Sequence, residues 1–572
     1  MMVLKIRWKT VSLLLLLMSF QSHLLAKNLS ADINVGDADR VLRSGKVITL
    51  DNQSTEHQAL AVRDGKILLT GTDEEVNELI GPETQVIELD GRTVIPGLID
   101  GHIHGIRAGL TFNDEVGWYD ITSIEEGLEK LREKVRNTAP GEWITVAGGW
   151  VKEQVAEGRA PTLAELDEIT SQHPIYIQHL YDLVVLNSAG LQAFSINHQT
   201  ANPAMGKYHR DSENKLTGRI TGSLPFIFST YRKLPRLSFD QQVEGTKAFG
   251  AELSRLGLTS FIDAGGGGLF PQSFHPLYKL WREGQLKQRI RFFVSPQRPG
   301  KELEDIMQWA DFQAMGHGDD MLRFSGFGEI VVWGMHDGAD IGVHFGPSEK
   351  AKNDLLAVAK YLAERQYSMQ IHAHHDHSAS QILDIIEQVH QDSPITDLRW
   401  SICHGEDFTE TTLLRMRALN MAWGVQNRLY FMGDDYLAIM GKKIARSAPP
   451  LNTGLKNGLV IAAGTDAHRV SPYNPFVSLE WLVNGKSLSG TVIRGPQESV
   501  SREQALRMYT QGSAWLTFDE NKLGSLEIGK FADLVVLSDD YMTVDEENIS
   551  EIVSLMTMVN GEVVYAATPF GL

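Results

Sequence analysis

The chain has 572 residues, 42% of them hydrophobic and 22% charged, which is too long for one small core and suits a large domain with a satellite. A formal net charge of -19 argues against a nucleic-acid partner or an anionic membrane surface. A single cysteine, Cys403, excludes an internal disulfide.

The first residues read as a secretory signal peptide over 1–26. Lys5, Arg7 and Lys9 are followed by an apolar stretch from Val11 to Phe20 and a small-residue region from Ser22 to Ala26. The mature chain is therefore expected to be secreted or periplasmic, with no membrane attachment after cleavage. Residues 41–50, 59–69 and 86–94 read as three strand pairs, the second turning at Asp64 and Gly65 and the third at Asp90 and Gly91.

Residues 94–104 carry the most chemistry. Val94, Ile95, Leu98 and Ile99 surround a Pro-Gly pair, and Asp100, His102 and His104 follow. In an extended chain side chains alternate faces, so His102 and His104 point the same way at the end of a buried strand. Two such imidazoles make half a metal site.

The middle of the chain alternates short apolar runs with helical patterns. Strand candidates lie at 143–149, 175–178, 260–263, 291–294, 369–372, 400–404 and 459–466. Helix candidates lie at 242–256, 354–364, 378–390 and 502–510. This alternation predicts an α/β fold, a (β/α)8 TIM-type barrel over 94–522. The C-terminal residues 524–537 hold a strong strand, and 556–565 a hairpin on Asn560 and Gly561. Too small to stand alone, 27–93 and 523–572 are expected to combine into one small β-sandwich.

Three strand candidates end on metal-ligand chemistry. His372 leads a cluster with His374, His375 and His377; His404 ends the next candidate; Asp466 ends the last, with His468 two residues on. With His102 and His104 these place N and O ligands at the C-terminal ends of separate strands, where a barrel builds a divalent-metal site.

At this point the chain resembles the amidohydrolase superfamily, specifically the amidohydrolase family 3 branch of metal-dependent hydrolases, over nearly all of its mature length. Residues 96–104 match the superfamily's first-strand signature. Residues 143–150, 161–167, 187–191 and 371–373 resemble family 3 landmarks, and 529–537 the closing motif. The resemblance implies that His102 and His104 bind a first metal, that His372 and His404 bind a second, and that Asp466 contacts the first metal and the attacking water. His374 stays open as an alternative to His372. Where many members carry a bridging carboxylated lysine, this chain has no lysine, and Glu329 stands in its place as a bridging carboxylate. A Glu329 paired with Arg323 is the alternative reading.

Other departures suggest an altered pocket. Tyr181 and Asp182 fall where the branch often has a substrate-contacting histidine, and Cys403 where it often has glutamate. If His404 points inward, Cys403 is expected to point outward as a core thiol. For His374, His375, His377 and His468 exposed loop positions are expected, and residues 473–476 are expected to shape the pocket wall.

The implied activity is hydrolysis of a C–N bond in an amide, an N-acyl or N-formyl amine, or a cyclic amide, by metal-activated water with Asp466 as the proton carrier. Four imidazoles with carboxylates suit one or two Zn2+ ions, with iron, manganese and cobalt as alternatives. Deamination, ester or carbamate hydrolysis, and a non-catalytic metal-binding or regulatory role remain competing readings. The partner is a small-molecule substrate, and a homo-oligomer is compatible with the chain.

Overall fold

The computed structural model describes residues 37–338, 340–342 and 345–571. The expected signal segment, 1–26, lies outside them. No helix among the described residues is long and apolar enough to cross a membrane.

Eight short parallel strands carry the middle of the chain. β1 (Leu98–Ile103), β2 (Leu258–Asp263), β3 (Arg289–Val294) and β4 (Leu322–Phe327) form one four-stranded sheet in that order. β5 (Gln370–Ala373), β6 (Ser401–His404), β7 (Ala422–Gln426) and β8 (Val460–Gly464) form the second. Nearly every residue of these strands is buried, as expected of parallel strands covered on both faces.

The two sheets meet at both edges. At one seam Phe327 bridges Met369, and the His372 N–H donates to the Glu329 carbonyl at 3.2 Å. At the other, the Asp466 N–H donates to the His102 carbonyl and the His104 N–H to the Ala467 carbonyl, both at 2.8 Å. The pairing is thus two four-stranded ladders, not the single eight-stranded ladder expected. The reason is local: Glu329 and Asp466 follow the strand ends at the seams, so isolated hydrogen bonds replace ladder pairs there.

Close approach at the second seam requires glycine. A Cβ on Gly464 would sit 2.4 Å from the His102 backbone nitrogen, and one on Gly101 2.8 Å from the Ala463 carbonyl oxygen. Asp100, fully buried, accepts from the Thr465 hydroxyl at 2.6 Å and from the His102 N–H at 3.0 Å. Burial raises its carboxyl to about 6, against the opposing pull of those donors.

The helix candidates appear with longer starts: α1 (Phe239–Arg255), α2 (Glu349–Glu364) and α3 (Asp376–Asp392). In α2 the Ser348 hydroxyl accepts from the Ala351 N–H, a cap worth about 1 kcal/mol. Leu355, Val358, Ala359 and Leu362 then recur at helical spacing and are fully buried against the strands. α4 (Arg502–Arg507) is shorter than expected, giving way to a π-turn at Met508–Gly512.

Two strand candidates lie outside the eight. Ile144–Val146 and Ile175–His179 join Leu183–Leu186, Leu216–Gly222 and Gly206–Arg210 in a five-stranded mixed sheet inserted between β1 and β2. The insert packs its own core around Trp118, Trp150, Leu131, Ile144 and Ile177. The apolar pattern gives a strand but not its partner, and β2 pairs directly with β1.

The chain ends build two further sheets. Strands Lys46–Ile48, Glu56–His57 and Thr93–Pro96 join Leu534–Leu537, Ser554–Val559 and Glu562–Ala566 in a six-stranded sheet. Arg40–Arg43, Ala59–Arg63, Lys66–Gly71 and Gln85–Glu88 form a four-stranded one. Leu42, Leu60, Val62 and Ile87 of the second meet Val94, Leu534, Val536 and Met556 of the first in a shared core. The hairpins at Asp64–Gly65 and Asn560–Gly561 form as read. The expected strand pairs at 41–50 and 86–94 do not: in each, the turn carries the chain from one sheet to the other, so its two strands never pair. The C-terminal part is tied to β3 by buried Arg289, which meets Asp533 at 2.7 Å; Arg291 of the same strand meets Asp519, just before that part, at 2.7 Å.

Candidate metal centre

The C-terminal ends of β1, β4, β5, β6 and β8 converge on one buried cluster. His102 and His104 come from β1 and the residue after it, Glu329 follows β4, His372 lies on β5, His404 ends β6, and Asp466 follows β8. The structure thus brings together every residue expected at the site.

Glu329 stands between two histidine groups. Its Oε1 lies 3.4 Å from His104 Nε2. Its Oε2 lies 3.2 Å from His404 Nε2 and 3.5 Å from both His102 Nε2 and His372 Nδ1. Asp466 Oδ1 is 3.1 Å from His104 Nε2 and 3.6 Å from His102 Nε2. Arg323, the alternative partner for Glu329, turns instead to Asp519 at 2.6 Å.

The electrostatics follow from this crowding. Burial alone would raise the Glu329 carboxyl, but the His102, His372 and His404 rings hold it well below the usual carboxylate range. Burial likewise opposes the ionised form of Asp466, and His102 and His104 overcome it, so this carboxyl too is held low.

The donor set fits a divalent metal. His102 is fully buried, yet neither of its ring nitrogens has a hydrogen-bond partner among the described residues, and His372 Nδ1 and His404 Nδ1 share that condition. Buried polar atoms are normally satisfied, so orphaned imidazole nitrogens, among them His102 Nε2 and His372 Nδ1 facing Glu329 at 3.5 Å, call for a ligand. Donor atoms of His102, His104 and Asp466 lie within 4.8 Å of one another, as do those of His372, His374 and His404.

His372 and His374 both belong to the second group. His372 Nε2 faces Asp337 Oδ1 at 3.0 Å, which leaves Nδ1 toward the centre. His374 Nδ1 faces Glu406 at 2.9 Å, and its ring stacks on His404 with centroids 4.4 Å apart. A carboxylate on the far nitrogen orients a ligating imidazole. Asp337 and Glu406 stand at that position, although nothing in the sequence analysis marks them for it. Glu406, two residues past His404, had a signal in its spacing; Asp337 lies in a loop that no periodicity marks.

The strand ends are strained. His404 has φ 77° and Asp466 φ 58°, left-handed values that cost a non-glycine residue on the order of 1–3 kcal/mol. At His404 this breaks strand alternation. Cys403, expected to point outward, has its Sγ 3.8 Å from Glu329 Oε2, so both neighbours face the site.

Three of the four extra histidines also differ from expectation. His374, His375 and His468 are buried beside carboxylates; His377 is exposed, but in the first turn of α3 and not in a loop. His375 Nδ1 meets Asp407 at 3.0 Å, and His468 Nε2 lies 3.4 Å from Glu115. Glu115 lines a cavity of ≈ 580 Å³ with Tyr119, Tyr430 and Tyr473; its lining includes none of the metal-site residues, so Tyr473 walls this space and not the expected metal pocket. Tyr181 accepts from Arg107 Nη2 at 3.1 Å, while Asp182 pairs with His179 at 2.9 Å.

The sequence pattern of the amidohydrolase family matches residues 85–565, most of the chain and all of the strands that build this centre. The chain belongs to the amidohydrolase family. Its relatives include N-substituted formamide deformylase of Arthrobacter pascens, 24% identical over 93% of this chain and 99% of that protein. Protein LONG AFTER FAR-RED 3 of Arabidopsis thaliana is 27% identical over 92% of each. Among solved structures, an uncharacterized metal-dependent hydrolase from Pyrococcus horikoshii superimposes with a TM-score of 0.66 at 20% identity, covering 89% of this chain and 99% of that one. A Xanthomonas campestris adenosine deaminase with bound zinc gives a TM-score of 0.52 at 12% identity, covering 92% of this chain and 93% of that one. At these identities the likeness is one of fold, and the neighbours imply a mixed α/β, TIM-type barrel for this amidohydrolase. As a member of the family it is a hydrolase, with three overlapping donor groups among the described residues that could hold metal.

Proposed function

We propose that this amidohydrolase is an exported metal-dependent enzyme that hydrolyses a C–N bond in an amide, an N-acyl or N-formyl amine, or a cyclic amide. The observation that carries the proposal is the convergence of four histidines and Asp466 on Glu329, with His102 unpartnered at both ring nitrogens. The relative named as a formamide deformylase, matched over almost its whole length, supports the choice of bond. In the same reading the two parallel sheets are halves of one barrel over 94–522, and the end-built sheets over 27–93 and 523–572 are one small sandwich. Export rests on the signal pattern at 1–26.

His102, His104 and Asp466 would hold one ion and His404 with His372 or His374 the second, with Glu329 as the shared carboxylate. Zinc is the first candidate for this donor set. When bound, a divalent ion supplies a Lewis acid and lowers the pKa of water at the site. Asp466, kept ionised, accepts the proton of the attacking water and delivers it to the leaving nitrogen. Glu329 holds the histidine groups at fixed separation. Asp337 and Glu406 fix the orientation of His372 and His374. Arg107, one turn past His104 and hydrogen-bonded to Tyr181, would present a polar group to a small-molecule substrate.

Elemental analysis of the purified chain, with a panel of N-formyl amines, N-acyl amines and cyclic amides, tests the reading. Bound metal is expected, with turnover lost on chelation and restored on reloading. A metal-loaded chain inert to the whole panel, but active on aminopurines or esters, would replace C–N amide hydrolysis with the competing chemistry.

A further inference from the structure

The donor set is richer than four imidazoles and two carboxylates. Cys403 is fully buried on β6. Its Sγ and donor atoms of His102, Glu329 and His404 all lie within 4.8 Å of one another. The sulfur lies 3.4 Å from the Ile371 carbonyl oxygen and 3.8 Å from Glu329 Oε2.

Two features place this thiol in the centre and not in the core. The left-handed backbone of His404 turns consecutive residues to one side, so Cys403 and His404 face Glu329 together. The neighbouring His102 ring is fully buried, with both nitrogens unpartnered and Nε2 directed at the same carboxylate. A cluster with an unsatisfied imidazole, a carboxylate and a thiol within reach of a common point is a coordination site in its own right.

We propose that Cys403 is a metal ligand, its sulfur sharing one ion with His102, Glu329 and His404. The proposal rests on the metal-dependent reading above but regroups its donors: the ion held by the sulfur takes His102 from the first group and His404 from the second, with Glu329 common to both. The thiol proton leaves to solvent as the sulfur binds. A thiolate biases the site toward zinc, cadmium or cobalt and away from manganese and magnesium, which prefer oxygen. It would also place a charge-donating ligand beside the shared carboxylate.

Cobalt loading tests this directly, because Cys403 is the only cysteine in the chain. The full chain, stripped by chelation and reloaded with Co2+, is expected to show a sulfur-to-cobalt charge-transfer band in the near ultraviolet. Cys403→Ser should lose that band while keeping the visible cobalt bands and the metal stoichiometry. Cys403→Ala, measured in parallel, guards against a serine oxygen taking over as ligand. In competition, Cys403→Ser should lose cadmium-over-manganese preference by at least about tenfold. Cobalt bound in full with no charge-transfer band in the wild type, and no change in metal preference in either variant, would overturn the assignment and leave the metal reading standing. A chain that takes up neither cobalt nor zinc would overturn both.

Discussion

Glu329 is the residue on which the two halves of the centre depend, and Glu329→Gln tests it with almost no change of shape. Its Oε1 meets one imidazole and its Oε2 three, all at 3.2–3.5 Å, so neutralising it removes the common counter-charge of both histidine groups. Losing a contact that merely orients a ligand costs about 10- to 100-fold in affinity, and a shared carboxylate should cost at least the upper figure. With free zinc at about 100 times the wild-type Kd, binding adds about 2.7 kcal/mol to the stability of the native chain. At the same zinc level a variant bound about 100-fold more weakly gains only about 0.4 kcal/mol. The expected difference is about 2.3 kcal/mol, read as the zinc-dependent gain in resistance to urea. Each protein is compared with its own chelated form, so effects of the substitution on the metal-free fold cancel. A zinc-dependent gain for Glu329→Gln within about 0.5 kcal/mol of the wild type would show that Glu329 does not share the metal.

Further outcomes follow from the same geometry. Asp466→Asn should cut turnover by about 10²–10⁴-fold while sparing most of the metal, and near wild-type kcat in that variant would remove Asp466 from the proton transfers. Arg289→Met leaves Asp533, 5% exposed, without its guanidinium, at an expected cost of about 3–5 kcal/mol in urea unfolding. Arg289→Met combined with Asp533→Leu should recover much of that loss; a double variant as weak as the single one would mean that the lost packing, and not the stranded charge, is what matters. Gly464→Ala should lower metal content and stability together, by about 1–3 kcal/mol, because the new methyl meets the His102 backbone. Unchanged metal content in a stable Gly464→Ala protein would show that the seam yields more easily than the packing indicates.

The site was legible in the sequence where strand alternation alone decides geometry. His102 and His104 needed only an extended backbone to face the same way, and Asp466 only a strand end. Cys403 was misplaced because the left-handed turn at His404 suspends that alternation, and no residue pattern announces a histidine with positive φ. β7 escaped notice since its Trp423-Gly424 core is short and lacks a functional residue at its end, whereas the apolar runs at 144–146 and 175–179 imitate strands of the main sheets. Asp337 and Glu406 act through partners distant in sequence, which only packing reveals.

The inserted five-stranded sheet separates two tasks. The metal donors all come from the eight parallel strands and the residues that follow them, while the insert supplies Tyr181 to Arg107 and seats Gly149 against the Arg469 carbonyl at 2.8 Å. Because the insert carries its own core, its loops can be rebuilt without disturbing the strand ends. The molecule is thereby divided into a donor-bearing body and a separately cored insert. A graft of this insert from a relative must therefore span 116–222, so that Trp118 and Leu131 travel with the strands they pack on.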